Sequence, residues 1–80
     1  MLVKYSFTFQ CTCPVDNLAD LYDVEITSDK TIPVEKILDA LERINRQDFQ
    51  EEITRSLPRQ IPARVKTTGY HSGIKVVCEE

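Results

Sequence analysis

From Val3 to Cys13 the chain alternates without a break. Val3, Tyr5, Phe7, Phe9, Cys11 and Cys13 fall on one face, and Lys4, Ser6, Thr8, Gln10 and Thr12 on the other. A period of two over this length predicts a half-buried strand. Pro14 ends it, because proline has no N–H for the ladder, and Asp16 and Asn17 are turn formers. Asp20 opens a second alternating run. There Tyr22, Val24 and Ile26 face one way, and Asp23, Glu25 and Thr27 the other.

The period then changes. "SDKTIPVEKILDALERIN" reads as a helix with Thr31 as N-cap and Pro33 in the first turn, where its missing N–H is no loss. Val34, Ile37, Leu38, Leu41 and Ile44 form its apolar stripe. A shorter helix is predicted from about Asp48, with Phe49, Ile53 and Leu57 on one side and Pro58 as its stop. After Pro62 come a third strand from Ala63 to Tyr70, a turn over Gly69 to Gly73, and a fourth strand from Ile74 to Cys78.

The order ββααββ predicts one α+β domain spanning residues 1–80. Two hairpins form a four-stranded antiparallel sheet, and both helices cover one face. The opposite face carries Lys4, Ser6, Thr8, Asp23, Glu25, Arg64, Lys66, Thr68, Lys75 and Glu79, polar and mixed in sign. With 80 residues the core is small. The outer strands also have free edges. Both features favour self-association into a barrel-shaped homo-oligomer, with the polar face either simply solvated or lining a water-filled lumen.

Charge and cysteine content narrow the chemistry. A net charge of −3 and a pI near 5.1 argue against a nucleic-acid docking surface made by the single chain. No apolar run approaches the ~20 residues of a membrane span, and "MLVKYSF" lacks the apolar core of a signal peptide. A cytoplasmic protein with no membrane partner is expected. Three cysteines make a poor disulfide framework. Beyond Cys11 and Cys13, only His71 and Cys78 remain as a second ligand pair, so no metal is expected.

The corner at Cys13 is where reactivity concentrates. Cys13 closes the first strand and Asp20 opens the second, both with the parity of their strand's apolar residues. A hairpin brings its strand ends together. A thiol beside a carboxyl suits nucleophilic addition, in which sulfur attacks and the acid supplies a proton to the atom that gains charge. Read plainly, the two cysteines are small core hydrophobes and Asp20 ends a loop. Glu51 also has two readings. With Asp48 as N-cap it completes a capping box. Alternatively, its carboxylate accepts the two parallel N–H bonds of a guanine-like edge. His71, in "GYHSGI", is a turn residue, a ligand contact or a proton carrier.

Together these features resemble the tunnelling fold, a ββααββ subunit that assembles into barrels and binds purine or pterin-like rings between copies. The resemblance rests on Cys13-Pro14, Asp20, the strand after it, and Phe49-Gln50-Glu51. It leans toward the nitrile reductase of queuosine biosynthesis and its shortened archaeosine-forming relative, and more distantly toward GTP cyclohydrolase I. It implies Cys13 as nucleophile and Asp20 as proton donor, with Phe49, Gln50, Glu51 and His71 around the substrate. Gln50 stands where the reductases have histidine. The cyclohydrolase zinc site does not carry over, since Val15 and Gly73 replace expected ligands.

The reductases' lysine-rich, NADPH-associated signature is missing from "VEKILDALERI". The archaeosine branch lacks it too, and "YHSGIKVVCE" looks like that branch's last hairpin. The expectation is therefore a cofactor-free enzyme that adds ammonia to the nitrile of 7-cyano-7-deazaguanine, free or in tRNA, through a Cys13 thioimide. One alternative is an NADPH-dependent reductase of the same nitrile. Another is a non-catalytic ring-binding or structural subunit.

Overall fold

The computed structural model describes residues 1–80. Strand β1 runs over Val3–Thr12 and β2 over Ala19–Ser28, followed by helices α1, Val34–Glu42, and α2, Gln50–Ser56. Strands β3, Arg64–His71, and β4, Ile74–Glu79, complete the chain. The four strands form one antiparallel sheet in the order β1-β2-β3-β4. This is the predicted ββααββ architecture.

Alternation becomes register directly. Phe7 pairs with Val24, Phe9 with Tyr22 and Cys11 with Asp20. The apolar members of both strands therefore share one face. There Phe9, Tyr22, Val24, Ile26 and Val65 join Ile37, Ala40, Leu41, Ile44, Ile53 and Leu57 in a single core, with both helices on that side. Tyr5 fastens the loop before α1 to the sheet. Its hydroxyl donates to the Ile32 carbonyl at 3.0 Å and accepts the Ile32 N–H at 2.8 Å. The other face is open and carries the expected charges, including a Lys4–Glu25 pair at 3.7 Å.

Local details depart from the sequence expectation at the helix starts. Thr31 does not cap α1. Pro33 is the N-cap, in an extended conformation at ψ 133°, and no side chain bonds the first turn. The helix stops at Glu42, and the stripe is only partly covered. Ile37, Leu41 and Ile44 are buried, but Val34 and Leu38 are 55% and 54% exposed. They border a groove between α1 and β1, closed at one end by Arg46, whose guanidinium lies 4.4 Å from the centre of the Phe9 ring.

The expected capping box at α2 does not form. Phe49 is the N-cap, with no side-chain cap bond, while Asp48 Oδ1 accepts the Phe49 N–H at 2.8 Å. Glu52, not Glu51, is thus three residues past the cap, and it pairs with Arg55 at 2.6 Å. Gly69 belongs to β3, not to the turn. The turn is Ser72–Gly73, with φ of 53° and 82°, a two-residue connection of the kind whose twist matches the flanking strands.

Candidate active site

Four pieces of chain meet at one end of the sheet: the turn after β1, the start of β2, the start of α2 and the end of β3. The turn is held rigidly. The Cys13 N–H donates to the Leu18 carbonyl at 2.8 Å, and the Asn17 N–H donates to the Cys13 carbonyl at 2.9 Å. Asn17 takes the left-handed conformation at φ 63°. Asp16 Oδ1 accepts the Leu18 N–H at 3.0 Å. That bond lowers the Asp16 carboxyl below the usual range. The loop before α2 is tied to the same turn by Thr12 N–H to Arg46 O at 2.6 Å and by Gln47 to Asn17 at 3.3 Å.

These supports enclose a cavity of about 350 Å³. Its wall includes all six residues singled out from the sequence: Cys13, Asp20, Phe49, Gln50, Glu51 and His71. The volume is at the small end of the range for ligand sites, and apolar walls with a few placed polar groups are their usual make-up. Pro14, Val15, Tyr22 and Val76 supply the apolar surface, and no lysine or arginine lines it.

The backbone register puts Asp20 opposite Cys11, one pair further into the ladder than the neck where it was expected to meet Cys13. Both nonetheless border the cavity. The cysteines separate sharply. Cys11 is 2% exposed, and burial pushes its thiol up to about 11 against the pull of Arg46. A thiol so buried and protonated is a core residue. Cys13 is half-buried at the cavity wall and has the only thiol that reaches it. Glu51 has no capping duty and stands exposed in the first turn of α2.

Gln50 is a structural keystone that the sequence did not disclose. It is 2% exposed. Its Nε2 donates to the Val76 carbonyl at 3.0 Å, to Thr67 Oγ1 at 3.1 Å and to the Thr67 carbonyl at 3.3 Å. Thr54 donates to the Gln50 carbonyl at 2.7 Å, which leaves Thr67 to donate to Thr54 across their 2.7 Å contact. Carbonyls only accept, so the side-chain amide orientation is fixed. Its Oε1 then accepts from His71 Nε2 at 2.9 Å. Its polar atoms are thus committed to the protein, and it positions His71.

Two further residues were missed. Tyr22 forms part of the wall, and burial and then the Asp20 charge hold its hydroxyl protonated, well above the ordinary tyrosine range. Gly69 makes room for it. A Cβ there would lie 2.5 Å from Tyr22 Cδ1 and 3.4 Å from Gln50 Oε1. A glycine inside an alternating strand was the available signal, since it marks close approach of another group. No cluster of three or more His, Cys, Asp or Glu side chains has the arrangement to hold a metal ion, and no helix is long and apolar enough to cross a membrane.

The sheet, its strand order and the two helices on one face make up the ββααββ architecture of the tunnelling fold. Among solved structures, the archaeosine synthase QueF-Like in its apo form is similar over 98% of this chain and 91% of that chain, with a TM-score of 0.75 at 19% identity. The likeness is one of fold. No family model and no curated protein matches the sequence.

Proposed function

We propose that this chain is an enzyme of 7-deazaguanine chemistry that converts the nitrile of 7-cyano-7-deazaguanine, as free base or in tRNA, to an amidine with ammonia. The observation that carries the reading is that the cavity lined by Cys13 and Asp20 is also lined by Phe49 and Glu51. The ring enters between the apolar side chains, and Glu51 accepts its two parallel N–H groups. The cyano carbon then faces Cys13 Sγ.

Sulfur adds to that carbon, one of the three C–N bonds opens to a lone pair on nitrogen, and Asp20 protonates the nitrogen. The product is a neutral thioimide. Ammonia adds to the same carbon and gives up a proton to the Asp20 carboxylate. The C–S bond breaks and returns the thiolate, leaving the amidine. Holding the reactants in this geometry contributes on the order of 7–11 kcal/mol to lowering the barrier. Self-association into a barrel covers the free edges of β1 and β4 and shields Phe49, which is 49% exposed in the single chain.

Intact-protein mass spectrometry with the cyano-deazaguanine base tests this reading. One adduct of the mass of the base is expected on wild type and none on Cys13→Ala. Added ammonium should discharge it as a product heavier than the nitrile by one ammonia. A folded wild-type protein that takes no adduct at saturating base refutes the nitrile reading.

A further inference from the structure

Tyr22 is only 2% exposed, yet it forms part of the cavity wall. Its ring is pinned from two sides. On β3 it presses on the backbone at Gly69, where a Cβ would lie 2.5 Å from Tyr22 Cδ1 and 2.7 Å from Cε1. The His71 ring stands 6.0 Å away, tilted by 45°. A phenylalanine would fill the same space, so packing does not explain the hydroxyl.

That hydroxyl takes part in none of the side-chain hydrogen bonds of the protein. No side-chain nitrogen or oxygen is sealed from solvent without a partner. The Tyr22 oxygen therefore reaches accessible surface, and Tyr22 borders the cavity. Its proton stays on. Burial first, and then the charges of Asp20, Cys11 and Cys13, hold the phenol neutral well above the ordinary tyrosine range.

The other side chains of the wall are short of donors. Asp20, Asp48 and Glu51 only accept when ionised. The Gln50 amide nitrogen is taken by Thr67 and Val76. His71 Nε2–H is taken by Gln50 Oε1, and in the neutral ring the other nitrogen only accepts. Cys13 offers a weak S–H donor. A guanine-like ring held by Glu51 through two parallel N–H groups also carries a carbonyl next to one of them. Burying that carbonyl without a donor forfeits affinity.

We propose that Tyr22 is a ligand-binding residue of this cavity, its O–H donating to the ring carbonyl beside the N–H groups that Glu51 accepts. The carboxylate reads the donors of the ring and the phenol reads its acceptor. The site thereby selects an oxo-bearing ring over one in which the carbonyl oxygen is replaced by a poorer acceptor. The ring pinned between Gly69 and His71 holds the hydroxyl ready, so little order is lost when the ligand binds.

The identity of the ring rests on the deazaguanine reading, but the test uses no nitrile. Calorimetry with 7-deazaguanine, which has the same carbonyl and N–H groups, measures the contact apart from the chemistry. Tyr22→Phe should bind it about tenfold more weakly than wild type, the scale of a donor lost from a buried acceptor. It should also lose most of the wild-type preference for 7-deazaguanine over its 6-thio analogue, in which sulfur is the weaker acceptor. Because the hydroxyl has no partner in the protein, Tyr22→Phe should melt within about 3 °C of wild type. Equal affinity for 7-deazaguanine, or an undiminished preference for oxygen over sulfur, overturns the assignment. A larger fall in melting temperature overturns it too, since the hydroxyl would then have a partner inside the fold. Wild-type protein that does not bind 7-deazaguanine overturns both this inference and the ring reading. No adduct with the cyano base, while 7-deazaguanine binding still depends on Tyr22, removes the nitrile chemistry and leaves Tyr22 in place.

Discussion

Replacing Gln50 by leucine roughly preserves volume and removes the amide, so it isolates the hydrogen-bond network from packing. Three groups lose a bond: Thr67, the Val76 carbonyl and the His71 Nε2–H. Val76 and His71 are half-buried, and water can reach them. Thr67 is 0% exposed. Thr67 keeps its bond to Thr54, so the bonding lost at three groups, at about 1 kcal/mol each, gives a cost of about 3 kcal/mol. A domain of this length has on the order of 4–12 kcal/mol in all. The variant should therefore sit near the edge of folding. Urea unfolding followed by far-ultraviolet circular dichroism, at one fixed protein concentration, measures this. With a slope of about 1.5 kcal/mol/M, the midpoint should fall by about 2 M. Gln47→Leu, at an exposed position, should move it by less than ~0.5 M. A Gln50→Leu midpoint as close to wild type as that control would mean the buried network contributes nothing, and the reasoning about its completeness would be wrong.

Gly69→Ala places a methyl group 2.5 Å from the Tyr22 ring. It should lower stability by about 1–3 kcal/mol through overpacking, visible as a lower melting temperature, and should loosen Gln50 on His71; an unchanged melting temperature would mean the ring has somewhere to go. Stability should fall from about pH 9 toward 11. Cys11 is protonated when folded, with its thiol raised to about 11, but ionises near its ordinary value when unfolded. Cys78 and Tyr22 are raised in the same direction, so Cys11→Val should reduce this alkaline slope without abolishing it, and a wild-type profile flat to pH 11 contradicts the assignment. Glu51→Gln should change stability by no more than ~0.5 kcal/mol, since its carboxylate is exposed and caps nothing. It should weaken binding of the cyano-deazaguanine base by about tenfold or more in calorimetry, on the scale of one charge-assisted bond; equal affinity would remove Glu51 from ring recognition.

Much of this protein is legible in the spacing of its apolar residues. The alternation from Val3 to Cys13 and from Tyr22 to Ile26 predicts which face of β1 and β2 is covered, and Ile37, Leu41, Ile44, Ile53 and Leu57 mark the helix faces that cover it. Periodicity works because one face of a strand or helix is buried along its whole length, so each local segment carries the message. Helix starts were less legible. Thr31 and Asp48 are good capping residues by type, but the chain enters α1 through Pro33 and α2 through Phe49. The cap goes to whichever residue the incoming loop leaves extended, and the loop is placed by its anchors on the sheet.

The sequence alone also gathered the candidate residues, Cys13, Asp20, Phe49, Gln50, Glu51 and His71, without determining what each touches. Only the tertiary structure separated a sealed Cys11 from a reachable Cys13 two positions away on the same strand face, because burial there depends on where the helices end. Only it joined Gln50 to His71 across 21 positions of chain, since that bond exists once α2 lies against β3 and β4. Contacts of this kind follow from register and packing between distant segments, which no local pattern encodes.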